Sequence, residues 1–285
     1  MSNMKRRNIK LRSIILPLLA LFLCFSLFIP LFTAGSESSS TVTSSNNSEV
    51  TKPNSKLPSS SIGSNLPVSG KLISFLGDSI TTYEGWSNDS RTNESIGENS
   101  VYYDESKMPV ASTWWHQLTR KLGLSLCVNN SWNGGRVTEK AGTDSGVTRA
   151  GELHNDTTGV EPHIIVVYMG TNDVANDVAL ADFESAYSNM LNVIKVSYPD
   201  AKVYTCTILP ESRTVNKAGE VANYNASIRS ITRSYGYEVI DFASELSDWD
   251  YTTETFVDGT LRVHPTAAGM DRLTDCAYEV MKNDT

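Results

Sequence analysis

Ser79 stands in Gly77-Asp78-Ser79-Ile80, directly after the apolar run Leu72 to Leu76. That run reads as a buried strand, so the serine falls on the turn that ends it, where a nucleophile is well placed. A serine hydroxyl attacks poorly at its own pKa. It needs a base to take its proton and donors for the oxyanion that develops. Three further blocks bring such groups. Asn129-Asn130-Ser131-Trp132-Asn133-Gly134-Gly135 follows the strand-like Leu124 to Val128, Gly170-Thr171-Asn172-Asp173 follows Ile164 to Met169, and His264-Pro265 precedes a predicted C-terminal helix. Alone, each block is an ordinary polar turn at a strand end. Their joint order is far more specific, because open α/β sheets bind ligands outside the carboxyl ends of their strands.

Taken together, the four blocks resemble the SGNH (GDSL-type) hydrolases, a family of esterases and acylhydrolases on a flavodoxin-like α/β/α sandwich. The resemblance runs from about Lys71 to the C-terminus. It implies that Ser79 is the nucleophile and that its own N–H is one oxyanion donor. Gly134 would give a second backbone N–H, with Gly135 as the neighbouring alternative, and Asn172 a third donor through its side-chain amide. His264 would be the general base. His116, His154 and His163 read as structural, since only His264 precedes a helix in the C-terminal block.

The departure from the family is the acid. The family keeps an aspartate three residues before the histidine, where this chain has Leu261. The nearest acid is Asp258, six residues before His264. The expectation is that a looped insertion brings Asp258 to the ring, with a backbone carbonyl as the other candidate orienter. Tyr83, Trp132 and Arg136 lie close to the motifs. By default they are core aromatics and a solvated arginine; the sharper reading makes them the lining of a polar cleft suited to an acylated sugar.

Positioning these groups requires a sheet. Strands over 72–76, 124–128, 164–169, 202–208 and 238–240 alternate with helices over 112–122, 181–196, 220–235 and a final helix after Pro265. Such alternation implies a parallel sheet covered on both faces, and the resemblance makes it a flavodoxin-like three-layer α/β/α sandwich. Ile73-Ser74-Phe75-Leu76 and Ile164-Ile165-Val166-Val167 are the central strands, apolar without alternation. Phe183, Tyr187, Met190, Leu191 and Ile194 share one helical face and read as core packing. Two loops, 81–110 and 136–159, are long for a compact domain and are expected to wall the substrate cleft.

Ahead of this domain, Lys5, Arg6, Arg7, Lys10 and Arg12 precede nineteen uncharged residues, Ile14 to Phe32. A cleavable signal has an apolar core of about 7 to 15 residues and a membrane span about 17 to 25, so length favours an uncleaved anchor. Thr33-Ala34-Gly35 offers the small residues of a cleavage site, so a cleaved signal is the alternative. Either way the basic flank stays cytoplasmic and the rest is exported. Residues 35–66 hold twelve serines in thirty-two positions and read as a disordered tether. The expected organisation is therefore 1–34 signal or anchor, 35–66 linker, and 67–285 a single esterase domain.

That domain carries 17 basic and 30 acidic residues, near −13, which disfavours nucleic acid as a partner. Cys127, Cys206 and Cys276 read as small buried hydrophobes rather than a disulfide framework, and no Cys/His spacing suggests a metal. No cofactor is expected. The reading is an exported serine esterase that removes a short acyl group, such as acetyl, from a carbohydrate through an acyl-enzyme. Lysophospholipase or thioesterase action on the same fold is the alternative. Leu261 at the acid position also motivates a catalytically degenerate glycan-binding module.

Overall fold

The computed structural model describes residues 70–87, 101–139 and 145–283. The expected signal or anchor and the tether lie outside the described residues. Among the described residues no helix is long and apolar enough to cross a membrane.

Five strands, β1 (Leu72–Gly77), β2 (Ser125–Ser131), β3 (Ile164–Tyr168), β4 (Lys202–Cys206) and β5 (Glu238–Ile240), form one sheet in the order β2-β1-β3-β4-β5. Every pairing is parallel. This is the doubly wound order whose direction of winding reverses between β1 and β3, and crevices for ligands open at that reversal. The helices are α1 (Trp114–Lys121), α2 (Gly146–Arg149), α3 (Thr171–Ala175), α4 (Leu180–Ser197), α5 (Ala218–Ser234), α6 (Phe242–Glu245), α7 (Tyr251–Glu254) and α8 (Ala267–Met281).

Successive strand residues face opposite sides of the sheet, and β1 shows both layers at once. Phe75 meets Trp114 of α1 edge-on at 5.5 Å. Ser74, one residue earlier, turns the other way and donates to the Leu153 carbonyl at 2.7 Å. On the Phe75 side α1 packs against α8, and on the other α4 packs against α5. The predicted stripe of α4, Phe183, Tyr187, Met190, Leu191 and Ile194, is fully buried. Each such side chain stabilises the fold by about 1.5–3 kcal/mol through removal from water. Cys206 is buried as expected, whereas Cys127 and Cys276 are half-buried, and all three are free thiols.

Two details of the sheet prepare the site. Gly77 pairs with Ser131 on one side and Tyr168 on the other, so β2, β1 and β3 finish level. Between Ile73 and Phe75 the β1–β2 register jumps from Leu126 to Asn129. The extra residue is a bulge in β2, a device that re-aims the side chains beyond it. After it Asn129 donates to the Thr81 carbonyl and Asn130 to the Glu152 carbonyl, which ties both loops to the strand ends.

Candidate active site

Ser79 opens a single 3-10 turn, Ser79–Thr81, capped by Asp78, whose Oδ1 accepts the Ile80 N–H at 3.0 Å. The cap and the bond from Thr81 N to the Asp78 carbonyl fix the serine on a rigid corner. Burial pushes the Asp78 carboxyl up to about 7, against the lowering effects of the Ile80 N–H, Arg213 and Arg149. Ser79 Oγ lies 2.9 Å from His264 Nε2, and His264 Nδ1 lies 3.1 Å from Asp258 Oδ2. Serine, imidazole and carboxylate thus form one hydrogen-bonded row.

The unusual spacing of acid and base has a plain structural cause. Asp258 and Leu261 exchange both backbone hydrogen bonds at 2.9 Å across the two-residue turn Gly259-Thr260. Gly259 sits at φ +63°, at the position where a type II′ hairpin turn favours glycine. At the base of the same hairpin Thr255 bridges Pro265 and Phe256 N donates to the His264 carbonyl at 2.8 Å. Asp258 and His264 therefore stand on opposite arms of one small hairpin. The cross-strand geometry does what a single turn does in the family pattern.

Burial lowers the His264 pKa to about 4, against the raising effect of its Asp258 partner; Arg213 and Lys107 lower it further. The imidazole is neutral at ordinary pH and able to accept a proton. Tyr102 lies flat on its face, rings 3.4 Å apart at 18°, and donates its hydroxyl to Asp258 Oδ2 at 2.5 Å. Tyr103 meets the imidazole edge-on and donates to the Pro265 carbonyl at 2.9 Å. The other histidines have structural surroundings: His163 Nδ1 accepts the Leu72 N–H, His154 bonds the Tyr198 hydroxyl, and His116 packs edge-on against Trp86 and Trp115.

The expected donors stand on the turn after β2 and in α3. Trp132-Asn133-Gly134-Gly135 is a turn closed by Gly135 N to the Trp132 carbonyl at 3.0 Å, with Gly134 at φ +68° in the third position. That conformation strongly favours glycine. Gly135 spends its N–H inside the turn, whereas Gly134 N–H has no acceptor among the described residues, so Gly134 is the free donor of the two. Asn172 is the second residue of α3; its Nδ2 donates to the Gly135 carbonyl at 3.0 Å and its Oδ1 accepts from Arg213 Nη1 at 3.2 Å. Asp173 clamps the same two segments together, accepting Val137 N at 2.9 Å and Thr138 N and Oγ1 at 3.0 and 2.7 Å.

Tyr83 and Trp132, two of the residues expected to line the cleft, are as covered as Ser79 and Asn172 themselves. Tyr83 is 2% and Trp132 6% exposed, and the Tyr83 hydroxyl donates to the Met108 carbonyl. Tyr83 belongs to the hydrophobic core, whereas Trp132 stands outside it with the Arg149 guanidinium 5.8 Å from its ring. Arg136 is half-buried and donates to the Glu139 carbonyl at 2.8 Å. Arg149 on α2 is fully buried and donates to the Asn130 carbonyl at 2.7 Å and the Gly77 carbonyl at 3.3 Å. It bolts the end of β1 to β2, two residues before Ser79.

No cluster of residues among those described has the makings of a metal site. The sequence profile of the GDSL-like lipase/acylhydrolase family matches residues 75–272. The chain belongs to that family. As a GDSL-type protein it is a serine ester hydrolase. No curated protein matches the chain. Among solved structures, a candidate GDSL-like lipase from Bacteroides ovatus is 24% identical, with a TM-score of 0.55 over 75% of this chain and 99% of that one. A similar protein from Bacteroides uniformis is 25% identical, with a TM-score of 0.50 over 74% and 94%. A psychrotrophic esterase from Pseudoalteromonas sp., inhibited by monoethylphosphonate, shares 13% identity and a TM-score of 0.51 over 75% and 97%.

In this GDSL-type enzyme the motif reading missed three residues that shape the site, Tyr102, Arg149 and Arg213, and gave no role to Asp173 inside the third block. Of those three, only Arg213 left a usable signal. Glu211-Ser212-Arg213 follows the fourth strand at the same sheet edge as the other blocks. Nothing in the sequence marks Tyr102 or Arg149, because their partners lie 156 and 72 residues away.

Proposed function

We propose that the protein is an exported esterase that releases a short acyl group, such as acetyl, from a carbohydrate through an acyl-enzyme. The observation that carries the reading is the row Ser79–His264–Asp258 set against the free Gly134 N–H and the Asn172 amide. Ser79 Oγ attacks the acyl carbon as its proton passes to His264 Nε2, and Asp258 stabilises the imidazolium. The tetrahedral oxyanion takes hydrogen bonds from Ser79 N, Gly134 N and Asn172 Nδ2. Collapse expels the alcohol, which receives the proton from His264. Water then attacks the acyl-enzyme by the same route and frees the acid.

The polar character of the groups around Ser79 supports a sugar ester: Asn172, Arg213, Asp258 and His264 all approach the serine's side of the sheet. A longer acyl chain, as in a lysophospholipase or thioesterase, is the second reading. It is favoured by Val257 and Leu261, 60% and 43% exposed on the hairpin that carries Asp258. The degenerate binding module loses its motive, since the hairpin supplies Asp258 where Leu261 left a gap. Export follows from the charged and apolar N-terminal pattern, and anchoring would make the protein fractionate with membranes until protease cuts within 35–66.

The test is a fluorophosphonate probe followed by a panel of p-nitrophenyl esters and acetylated oligosaccharides. Labelling of Ser79 with turnover falling steeply beyond acetyl or propionyl supports the proposal. Turnover rising with chain length moves the assignment to the lipid-like reading, and an unlabelled folded protein overturns the catalytic one.

A further inference from the structure

We propose that Arg213 is a positioning residue that holds the Asn172 amide with its nitrogen toward the oxyanion; this rests on the reading of Asn172 as an oxyanion donor. An asparagine amide is nearly symmetric in shape, so packing alone does not decide which end is nitrogen. Two contacts decide it here. The Gly135 carbonyl accepts from Nδ2 at 3.0 Å, and Oδ1 accepts from Arg213 Nη1 at 3.2 Å. A flipped amide would set oxygen against the carbonyl and NH2 against the guanidinium, repulsive at both ends. With one Nδ2 hydrogen on Gly135 and Oδ1 on Arg213, the second Nδ2 hydrogen is the one left for substrate.

Arg213 is itself held. Glu211, 3% exposed, accepts Arg213 Nε at 2.8 Å through Oε1 and the Arg213 backbone N–H at 2.6 Å through Oε2. Glu211 N is in turn tied to Thr214 Oγ1 at 2.9 Å, and Ser212 joins the loop to Arg262 of the catalytic hairpin in both directions. The guanidinium thus reaches Asn172 from a loop with little freedom to drift. A charged donor on Oδ1 also polarises the amide, which strengthens the opposite N–H as a donor when negative charge develops. The device acts most in the transition state, so it belongs in kcat rather than KM.

The experiment is a double-mutant cycle in the full-length chain, read with p-nitrophenyl acetate at a pH on the activity plateau. Arg213→Met should lower kcat about 10- to 100-fold with KM nearly unchanged, the scale of weakening one oxyanion donor. Arg213→Lys should recover part of that loss, since an ammonium can donate to Oδ1 but cannot keep the two-sided grip of a guanidinium. In an Asn172→Ala background Arg213→Met should cost no more than about twofold, because the group it positions is gone. Unfolding temperatures of all variants report whether the fold survives. An equal loss in both backgrounds, a rise in KM alone, or full turnover of Arg213→Met overturns the proposal. Full turnover of Asn172→Ala overturns the oxyanion reading itself, and the role of Arg213 with it.

Discussion

The Tyr102 ring covers one face of the His264 imidazole at 3.4 Å while its hydroxyl binds Asp258 Oδ2, the oxygen that also faces His264 Nδ1. One side chain therefore shields the base from water and restrains the acid. Tyr102→Ala should let water reach the imidazole, so the acid limb of kcat/KM should move up toward the ordinary histidine value of about 6.5. Tyr102→Phe keeps the shield and removes the hydroxyl, and should cost turnover less than about tenfold. Acid limbs that stay put in both variants would show that the stacking has no part in tuning the base.

His264 must be neutral to accept the serine proton, and its pKa is lowered to about 4, chiefly by burial. Activity should therefore be complete above that value and be lost as pH falls through it, well below the point where a solvated histidine would lose it. Asp258 raises this pKa, so Asp258→Asn should move the limb lower still. Stability follows the same sign. The unfolded chain protonates near 6.5 and the folded one near 4, so between these values stability falls by on the order of 3 kcal/mol. Subtracting the pH profile of His264→Ala from that of the wild type isolates the contribution, and a flat difference between pH 4 and 6.5 would refute it.

Ser79→Ala removes the attacking atom but leaves the Asp78 cap and the 3-10 turn, so hydrolysis should vanish while the melting temperature stays within a few degrees. His264→Ala should be nearly as severe. Asp258→Asn should reduce kcat/KM steeply, because the ring loses both its orientation and the charge that stabilises imidazolium. The ratio of the last two defects is decisive: near-wild-type activity in Asp258→Asn beside a crippled His264→Ala would leave a serine-histidine dyad.

Gly134 and Gly135 should respond to alanine for different reasons. At Gly134 a Cβ meets nothing within 4 Å, but φ +68° is strained for alanine, so the turn should shift and carry the free N–H with it. At Gly135 a Cβ would lie 3.0 Å from both Arg149 Nη2 and the Trp132 carbonyl, inside the packed base of the site. Gly134→Ala should lose turnover with about 1 kcal/mol of stability, and Gly135→Ala should lose stability more heavily. Kinetics beside thermal unfolding of the two variants separates these outcomes, and a reversed order would assign the donor to Gly135.

Much of this architecture was legible because strands and motifs carry local signals. β5 falls at Glu238–Ile240 as predicted, and α4 and α5 differ from expectation by one or two residues at their ends, where hydrogen bonding rather than periodicity sets the limit. The short helices α2, α3, α6 and α7 were not anticipated, since four or five residues are too few to show a period. Ser79, Gly134, Asn172 and His264 stand at strand ends or before a helix and could be found there. Asp258 was found only as the nearest acid, and the hairpin that places it depends on pairing between its two arms. The burial of Tyr83 in the core was not legible, because nearness to a motif along the chain does not say which way a side chain turns.

Ser79 and His264 are separated by 185 residues and meet at 2.9 Å. During synthesis the serine is made well before its base. The nascent protein therefore carries an unactivated hydroxyl until the hairpin that bears His264 has been made. Chemical competence waits on that hairpin, and a chain cut before Thr255 holds all five strands but has no base with which to use them.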